Sequence, residues 1–473
     1  MDLRQIATAR GLVAAPPPLT VERSPELAMP RSSIVLGRIA FGWVGLILML
    51  SAIPYGSAEF WWKSFFICCL FAGAVVGLIE AYRQNSWATA GGAVILPATV
   101  LAAFAFLQTI SFGSTVISAD PFATRFFVLQ LIALIIAATL LYRYANTESR
   151  LRSLAQMVIA IAVISAIYGI LRQTTQRELG FGLPLLRVDQ GYGQFINKNH
   201  FAFLMEMGLG LALGLVLGGG VKRERGLMYL GALLPIWTAL VLCNSRGGLL
   251  AMMAQVLSAA LIFPTLHARP GNEPKLVKLF RYWPARMLLL AVLLFGLSFG
   301  TLWMGGDRLS TRLEQSGQDF DAAAAESRQN VSRGQIWRAT WSMFNAHPVM
   351  GVGLAGYWVA IPTFHDASGA MTPQEAHNDY LELLASGGVV GFAIGVWLMV
   401  AILRRTKQNV MEGKGFRRAI AFGAALAMVG VAVHSLVDFG LHVFVNALAF
   451  TAVIVIGTTV LRVTDPRKHT KRH

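Results

Sequence analysis

The sequence predicts an all-α integral membrane protein of about twelve transmembrane helices with one large, partly helical outer loop. Composition is the first reason: of 473 residues, 55% are hydrophobic and only 14% charged, and the mean hydropathy is +0.57. No soluble domain of this size needs so much apolar surface. The second is a set of twelve apolar runs, each near the ~20 helical residues that cross a hydrocarbon core. The third is the collection of Lys and Arg in alternate loops, which sets an orientation.

Residues 1–33 are polar and contain proline (AAPPPLTVERSPELAMPR). No apolar h-region begins near Met1, so a cleaved signal peptide is not expected and the segment reads as a disordered cytoplasmic tail. The apolar runs follow at 34–53, 60–80, 91–112, 124–142, 153–171, 198–218, 226–243, 247–264, 285–304, 381–402, 416–437 and 440–461. Lipid offers no partner to backbone N–H and C=O groups, so each run is expected to be a helix. Very short links make antiparallel hairpins of 226–243 with 247–264 and of 416–437 with 440–461. Spans one to nine thus occupy 34–304 and spans ten to twelve 381–461, with a loop at 305–380 between them and a basic cytoplasmic tail at 462–473.

With the N-terminus inside, the cytoplasmic segments are 1–38, 81–90, 142–153, 219–227, 266–286, 403–418 and 462–473. They hold 28 of the 40 Lys and Arg residues, which is the positive-inside pattern. The net charge of +16 is therefore a topology signal, and nucleic acid is not an expected partner. Loops 172–197 and 305–380 face outward. Within the second, Ile336, Trp337, Trp341, Met343 and Phe344 stand among polar residues, as in an amphipathic helix lying on the bundle. Cys68, Cys69 and Cys243 sit in or beside apolar runs and suggest neither a disulfide framework nor a CxxC site. There is no HExxH or Walker A pattern, so no metal, cofactor or ATP-driven step is expected. Asp319-Phe-Asp321 repeats the D-x-D pattern of metal-dependent nucleotide-sugar enzymes, but it lies outside, where nucleotide sugars are not expected, and is discounted.

Polar residues at the outer edge of the spans are the functional candidates. Arg172 closes span five. Asn197, Lys198, Asn199 and His200 open span six, with Glu206 nearly two turns further in. Ser245 and Arg246 open span eight, and Asp438 and His442 flank the last outer turn. The long loop adds Arg333, Arg338, His377, Asn378 and Asp379. Arginines beside helix N-termini make a site for anionic oxygens such as those of a lipid-linked phosphate or pyrophosphate. A histidine there is placed to take a proton from an attacking hydroxyl. Each group also has a plainer reading. Arg246 serves equally as an interfacial anchor, and His377-Asn378-Asp379 as an N-cap group. Glu206 and His200 are explained by satisfying one another or a neighbouring helix, and Asp438 and His442 by capping their turn. Arg172, Arg177 and Arg187 read as solvated loop charges.

The motifs occur in a telling order: G-x-F-x-N-x-N-H-F-A at 193–202, S-R-G-G at 245–248, RGQIWRATW leading to HPVMGVG at 347–353, and H-N-D-Y-L-E-L-L at 377–384. In this order and on one membrane side they resemble the bacterial O-antigen ligase/polymerase superfamily over about 193–390. The resemblance implies a membrane-embedded, GT-C-like glycosyltransferase that is metal-independent and uses no cofactor. Its donor would be an undecaprenyl-pyrophosphate-linked glycan, and its acceptor a further glycan or lipid A-core. It also implies a bacterial inner-membrane location with a periplasmic 305–380 loop and active site. The family's essential histidine matches His377, the expected general base, and its pyrophosphate-binding arginines match Arg246 and either Arg172 or Arg187. Arg333 and Arg338 match the loop helix, and with Asn199 and Asp379 they complete the expected substrate-binding set.

The expected function is transfer of a glycan from that carrier to an acceptor hydroxyl, with inversion, in polysaccharide or lipopolysaccharide assembly. Ligase and polymerase are not separated by these motifs. The alternative is a polytopic transporter or flippase of lipid-linked glycan, since twelve spans with both termini inside is also a common transporter layout. Against it, ionisable residues are sparse in mid-span and crowd the outer rim.

Overall fold

A computed structural model describes residues 31–87, 90–112, 115–175, 186, 191–219, 223–267, 333–365 and 372–460. Its helices are α1 (Arg31–Ser51), α2 (Phe60–Arg83), α3 (Gly92–Leu107), α4 (Pro121–Tyr144), α5 (Glu148–Thr175), α6 (Lys198–Leu217), α7 (Arg223–Leu242), α8 (Arg246–His267), α9 (Arg333–Ala346), α10 (Tyr357–Ala360), α11 (Asp379–Glu412), α12 (Phe416–His434) and α13 (Phe444–Thr458). Among the described residues, Ser111–Phe112 pairs with Thr115–Val116 in a two-residue antiparallel hairpin. Among the described residues, seven helices are long and apolar enough to cross a membrane, and four shorter apolar helices lie at Val35–Ser51, Gly92–Leu107, Arg246–Ile262 and Phe444–Thr458. These match all the predicted runs except 285–304. That run, the tails 1–30 and 461–473, Arg177, Arg187 and the D-x-D segment lie outside the described residues.

The core forms around α6, because α6 is the span most enclosed by protein: 83% of its apolar window is buried, against 28% in α11. Small residues allow that enclosure. Gly210, Gly214 and Gly218 form a four-residue stripe on α6, against Ala419, Gly423 and Ala427 of α12. A Cβ on Gly214 would meet the Gly423 Cα at 2.1 Å. Lipid supplies no hydrophobic drive between helices, so such backbone approach and its dispersion contacts hold the pair together. α8 packs on α6 and α12, whereas α7 packs on α5 and α6. The 226–264 hairpin therefore has its tight turn, but its two arms splay onto different neighbours.

Helix α9 lies where the amphipathic pattern put it. It buries Ile336, Ala339, Thr340 and Met343, yet leaves Trp341 half exposed. The loop after it braces α11. At Gly388 the backbone leaves the helical region (φ 61, ψ −168), a conformation open essentially to glycine alone. The HPVMGVG loop supplies the hydrogen-bond partners that the kink removes. Val389 N–H donates to the Pro348 carbonyl at 2.8 Å, and Gly353 N–H donates to the Ser386 carbonyl at 2.9 Å. Gln108 clamps both strands of this contact, donating to the Met350 and Ser386 carbonyls at 2.7 and 3.1 Å. The long loop is thereby tied to the first turns of the helix that follows His377.

Candidate active site

Three helix N-termini open at one end of the bundle, each capped by its own side chain. Asn197 Oδ1 accepts from Asn199 N–H at 2.8 Å at the start of α6. Ser245 Oγ accepts from Gly248 N–H at 3.1 Å at the start of α8. Asn378 Oδ1 accepts from the N–H groups of Tyr380 and Leu381 at 3.1 and 3.0 Å at the start of α11. Capping of α11 thus falls to Asn378 alone, and His377 is left outside the helix with a left-handed φ of 51°. A non-glycine residue held there carries local strain, of the kind found where geometry serves a site.

The groups at this end are joined through Asp438, which is 1% exposed. Asn199 Nδ2 donates to its Oδ2, and the Phe439 N–H donates to its Oδ1 at 2.9 Å. Arg333 Nη2 stands 3.5 Å from Oδ2, and His377 Nδ1 stands 3.7 Å from Oδ1. Burial pushes the Asp438 carboxyl up. The His377 imidazole, with the neighbouring His200 and the Phe439 N–H, outweighs it and holds the group well below the usual carboxylate range. An ionised carboxylate facing an imidazole nitrogen orients the ring and stabilises its protonated form. The other nitrogen of His377, which is about a third exposed, is left to take a proton. Ser245 Oγ donates to Asn199 Oδ1 at 2.8 Å, so the S-R-G-G turn is tied to the same carboxylate through Asn199. Arg246, next along, is exposed at the first turn of α8. Asp438 is therefore both a cap of its own turn and the hub of the cluster.

A second cluster lies across the Phe439 ring, whose centroid is 4.8 Å from His377, 4.9 Å from His200 and 5.7 Å from His442. His442 Nδ1 is 3.2 Å from Glu375 Oε1, and its Nε2 is 3.6 Å from Asp379 Oδ1 and 3.8 Å from Glu382 Oε1. Burial would lower the His442 pKa, but the carboxylates, Glu375 foremost, push it up to about 10. Burial likewise raises Glu375, and His442 outweighs it, holding that carboxyl below its ordinary value. Ligand atoms of Glu375, Glu382 and His442 lie within 4.8 Å of one another, a spacing that admits a metal ion. The imidazolium already supplies positive charge to these carboxylates. Sequence spacing could not show this triad, because His442 comes from a segment 60 residues beyond Glu382.

The remaining expected residues are placed as follows. Arg172 is 4% exposed, and its Nη1 donates to the Gly193 carbonyl at 2.8 Å, in the segment that leads to Asn197. Arg338 is exposed on α9 and donates through Nε to the Gly334 carbonyl at 3.4 Å. Asp379 Oδ2 accepts from Ser435 Oγ at 2.6 Å and its N–H donates to the Ser435 carbonyl at 2.9 Å, so it pins α11 to α12. Arg187 lies outside the described residues. Glu206 pairs with His434 at 2.6 Å, both fully buried, so its partner is a neighbouring helix and not His200. Sequence reasoning missed the roles of Glu375, Glu382 and Phe439. The available signal was their position two to five residues from the histidines already singled out.

Residues 230–396 match a family model described as O-antigen ligase. The matched stretch contains Arg246, Arg333, Arg338, His377 and Asp379, and leaves Arg172, Asn199 and Asp438 outside it. No curated protein matches the chain.

Proposed function

We propose that this chain, whose residues 230–396 match an O-antigen ligase family model, is a member of the O-antigen ligase/polymerase superfamily and transfers a glycan from an undecaprenyl-pyrophosphate carrier to an acceptor hydroxyl. The site is read as periplasmic, on a multi-pass protein of a bacterial inner membrane. The observation that carries this reading is His377, strained and partly exposed, with Nδ1 3.7 Å from the buried Asp438 carboxylate that Arg333 also faces.

In this mechanism His377 takes the proton of the acceptor hydroxyl as its oxygen attacks the anomeric carbon. Asp438 holds the imidazole and stabilises the positive charge it acquires. The bond to the carrier's pyrophosphate breaks as the new glycosidic bond forms, and one displacement inverts the anomeric configuration. Arg246 and Arg333 meet the charge that develops on the leaving pyrophosphate, in contacts that strengthen toward the transition state. The N-termini of α6, α8 and α11 add partial positive charge at the same end. With the arginines supplying this charge, the reaction is read as metal-independent. Ligase and polymerase then differ only in the acceptor.

The test uses purified full-length protein with a lipid-pyrophosphate-linked glycan donor and, in parallel, lipid A-core or carrier-linked repeat units as acceptor. His377→Ala and Arg246→Ala are each expected to lower transfer by about 10²-fold or more. Wild-type transfer by both variants, with insertion verified, sinks the mechanism. Normal translocation but no transfer in those variants separates it from a flippase.

A further inference from the structure

At the end of the bundle opposite this site, α3 and α11 diverge around an open groove of about 440 Å³. Its apolar wall is formed by Leu96, Trp397 and Val400, and its polar rim by Arg404, Arg405 and Gln408. Among the described residues no carboxylate lines it. Leu96 is 56% and Trp397 44% exposed, so among the described residues none fills the wall. A smaller cavity of about 90 Å³ adjoins it, sharing Ala93 and Arg405. Ala93 lies in the first turn of α3, and the positive end of that helix adds to the two guanidinium groups.

The depth of the groove follows from α11 itself. Arg404 is 25 residues beyond Asp379, or up to ~37 Å at 1.5 Å per residue along the two helical arms either side of the Gly388 kink. That exceeds the ~30 Å hydrocarbon core, so a helix starting at the outer rim brings Arg404 and Arg405 to the opposite headgroup level. Trp397, two turns back, faces the acyl boundary where tryptophan is favoured. Cations at headgroup level above an apolar wall match one ligand class: an anionic phospholipid, its phosphate on the arginines and an acyl chain along Leu96, Trp397 and Val400.

We propose that the α3–α11 groove is a binding site for one anionic phospholipid of the leaflet opposite the candidate active site. The lipid would wedge α3 against the far half of α11, the helix whose near end carries His377. A soluble phosphate ester would satisfy the arginines but leave the apolar wall bare, so acyl chains are part of the specificity.

The experiment is lipid titration of the full-length protein in neutral detergent, with bound lipid counted by native mass spectrometry. Phosphatidylglycerol is the probe, and phosphatidylcholine of the same chains the reference. Wild type is expected to retain phosphatidylglycerol at least 10-fold more tightly. Arg404→Gln with Arg405→Gln is expected to weaken it about 30-fold, two arginines at ~1 kcal/mol each. Trp397→Ala should weaken both lipids. Lys414→Gln, which removes a charge at the same end but outside the groove, should change binding by less than about twofold. The proposal is overturned by any of three results: no preference for phosphatidylglycerol in wild type, equal loss in Lys414→Gln, or equal competition by glycerol phosphate lacking acyl chains. The substituted arginines are exposed, so the variants are expected to fold.

Discussion

Asp438→Asn tests the hub of the cluster without changing its shape. The amide keeps an acceptor for the Phe439 N–H, but the negative charge 3.7 Å from His377 Nδ1 is gone. Two unit charges at that distance attract by about 4 kcal/mol at an effective dielectric of 20. His377 is about a third exposed, so solvent screening leaves ~2 kcal/mol, or roughly 30-fold in rate. The assay is kcat and KM for glycan transfer by reconstituted protein. A kcat about 30-fold lower is expected, with KM for the donor little changed. An unchanged kcat refutes the role of Asp438. If Asp438→Asn costs as much in a His377→Ala background as in the wild type, it does not act through His377 and is a packing residue.

Three further outcomes are expected. His442 has its pKa raised to about 10 in the folded protein. A raised value stabilises the fold fully below its unfolded value, ~6.5, and is lost as pH rises through 10. The wild-type Tm in detergent should therefore fall between pH 7 and 10, and this slope should flatten in His442→Gln. A slope unchanged by the substitution contradicts the assignment. Glu206→Ala leaves His434 buried without its 2.6 Å partner, and should cost ~3–5 kcal/mol by denaturant or thermal unfolding. Joint replacement of Glu206 and His434 by Leu should recover much of that, and equal loss in both variants argues against the pair. Gly388→Ala places a Cβ 2.2 Å from the Val349 carbonyl oxygen at a φ of +61°. It should cost ~2 kcal/mol or more and loosen the 347–353 loop, read as faster amide exchange at Val389 and Gly353. Unchanged exchange would show that the kink is not what holds the loop.

Much of the architecture is legible in the sequence for a local reason. A span is a run of apolar side chains, and its helical form follows from the lack of backbone partners in lipid. Cap residues are equally local. Asn197, Ser245 and Asn378 each bond an N–H two or three residues on, so the starts of α6, α8 and α11 were readable to within a few residues. The G-x₃-G-x₃-G stripe at 210–218 was legible too, but went unread as a packing face. His377 and Arg246 stood out because few ionisable residues interrupt this apolar chain.

The partners were not legible. Asn199 reaches Asp438 across 239 positions and His434 reaches Glu206 across 228, and no spacing rule spans such gaps. From the sequence, Asp438 read equally well as a turn cap. Only docking of α12 onto α6 brings its carboxylate under Asn199, Arg333 and His377. The packing of the helices likewise brings His442 to Glu375 and Glu382, two separate segments, in one charged cluster. The sequence by itself thus determined the solvent of this protein, its helices and the end where its chemistry collects, since hydropathy and capping depend on neighbours along the chain. Which side chains meet there was decided by the tertiary structure, because a helix's rotation and the close approach allowed by Gly214 against Gly423 are set by packing between helices.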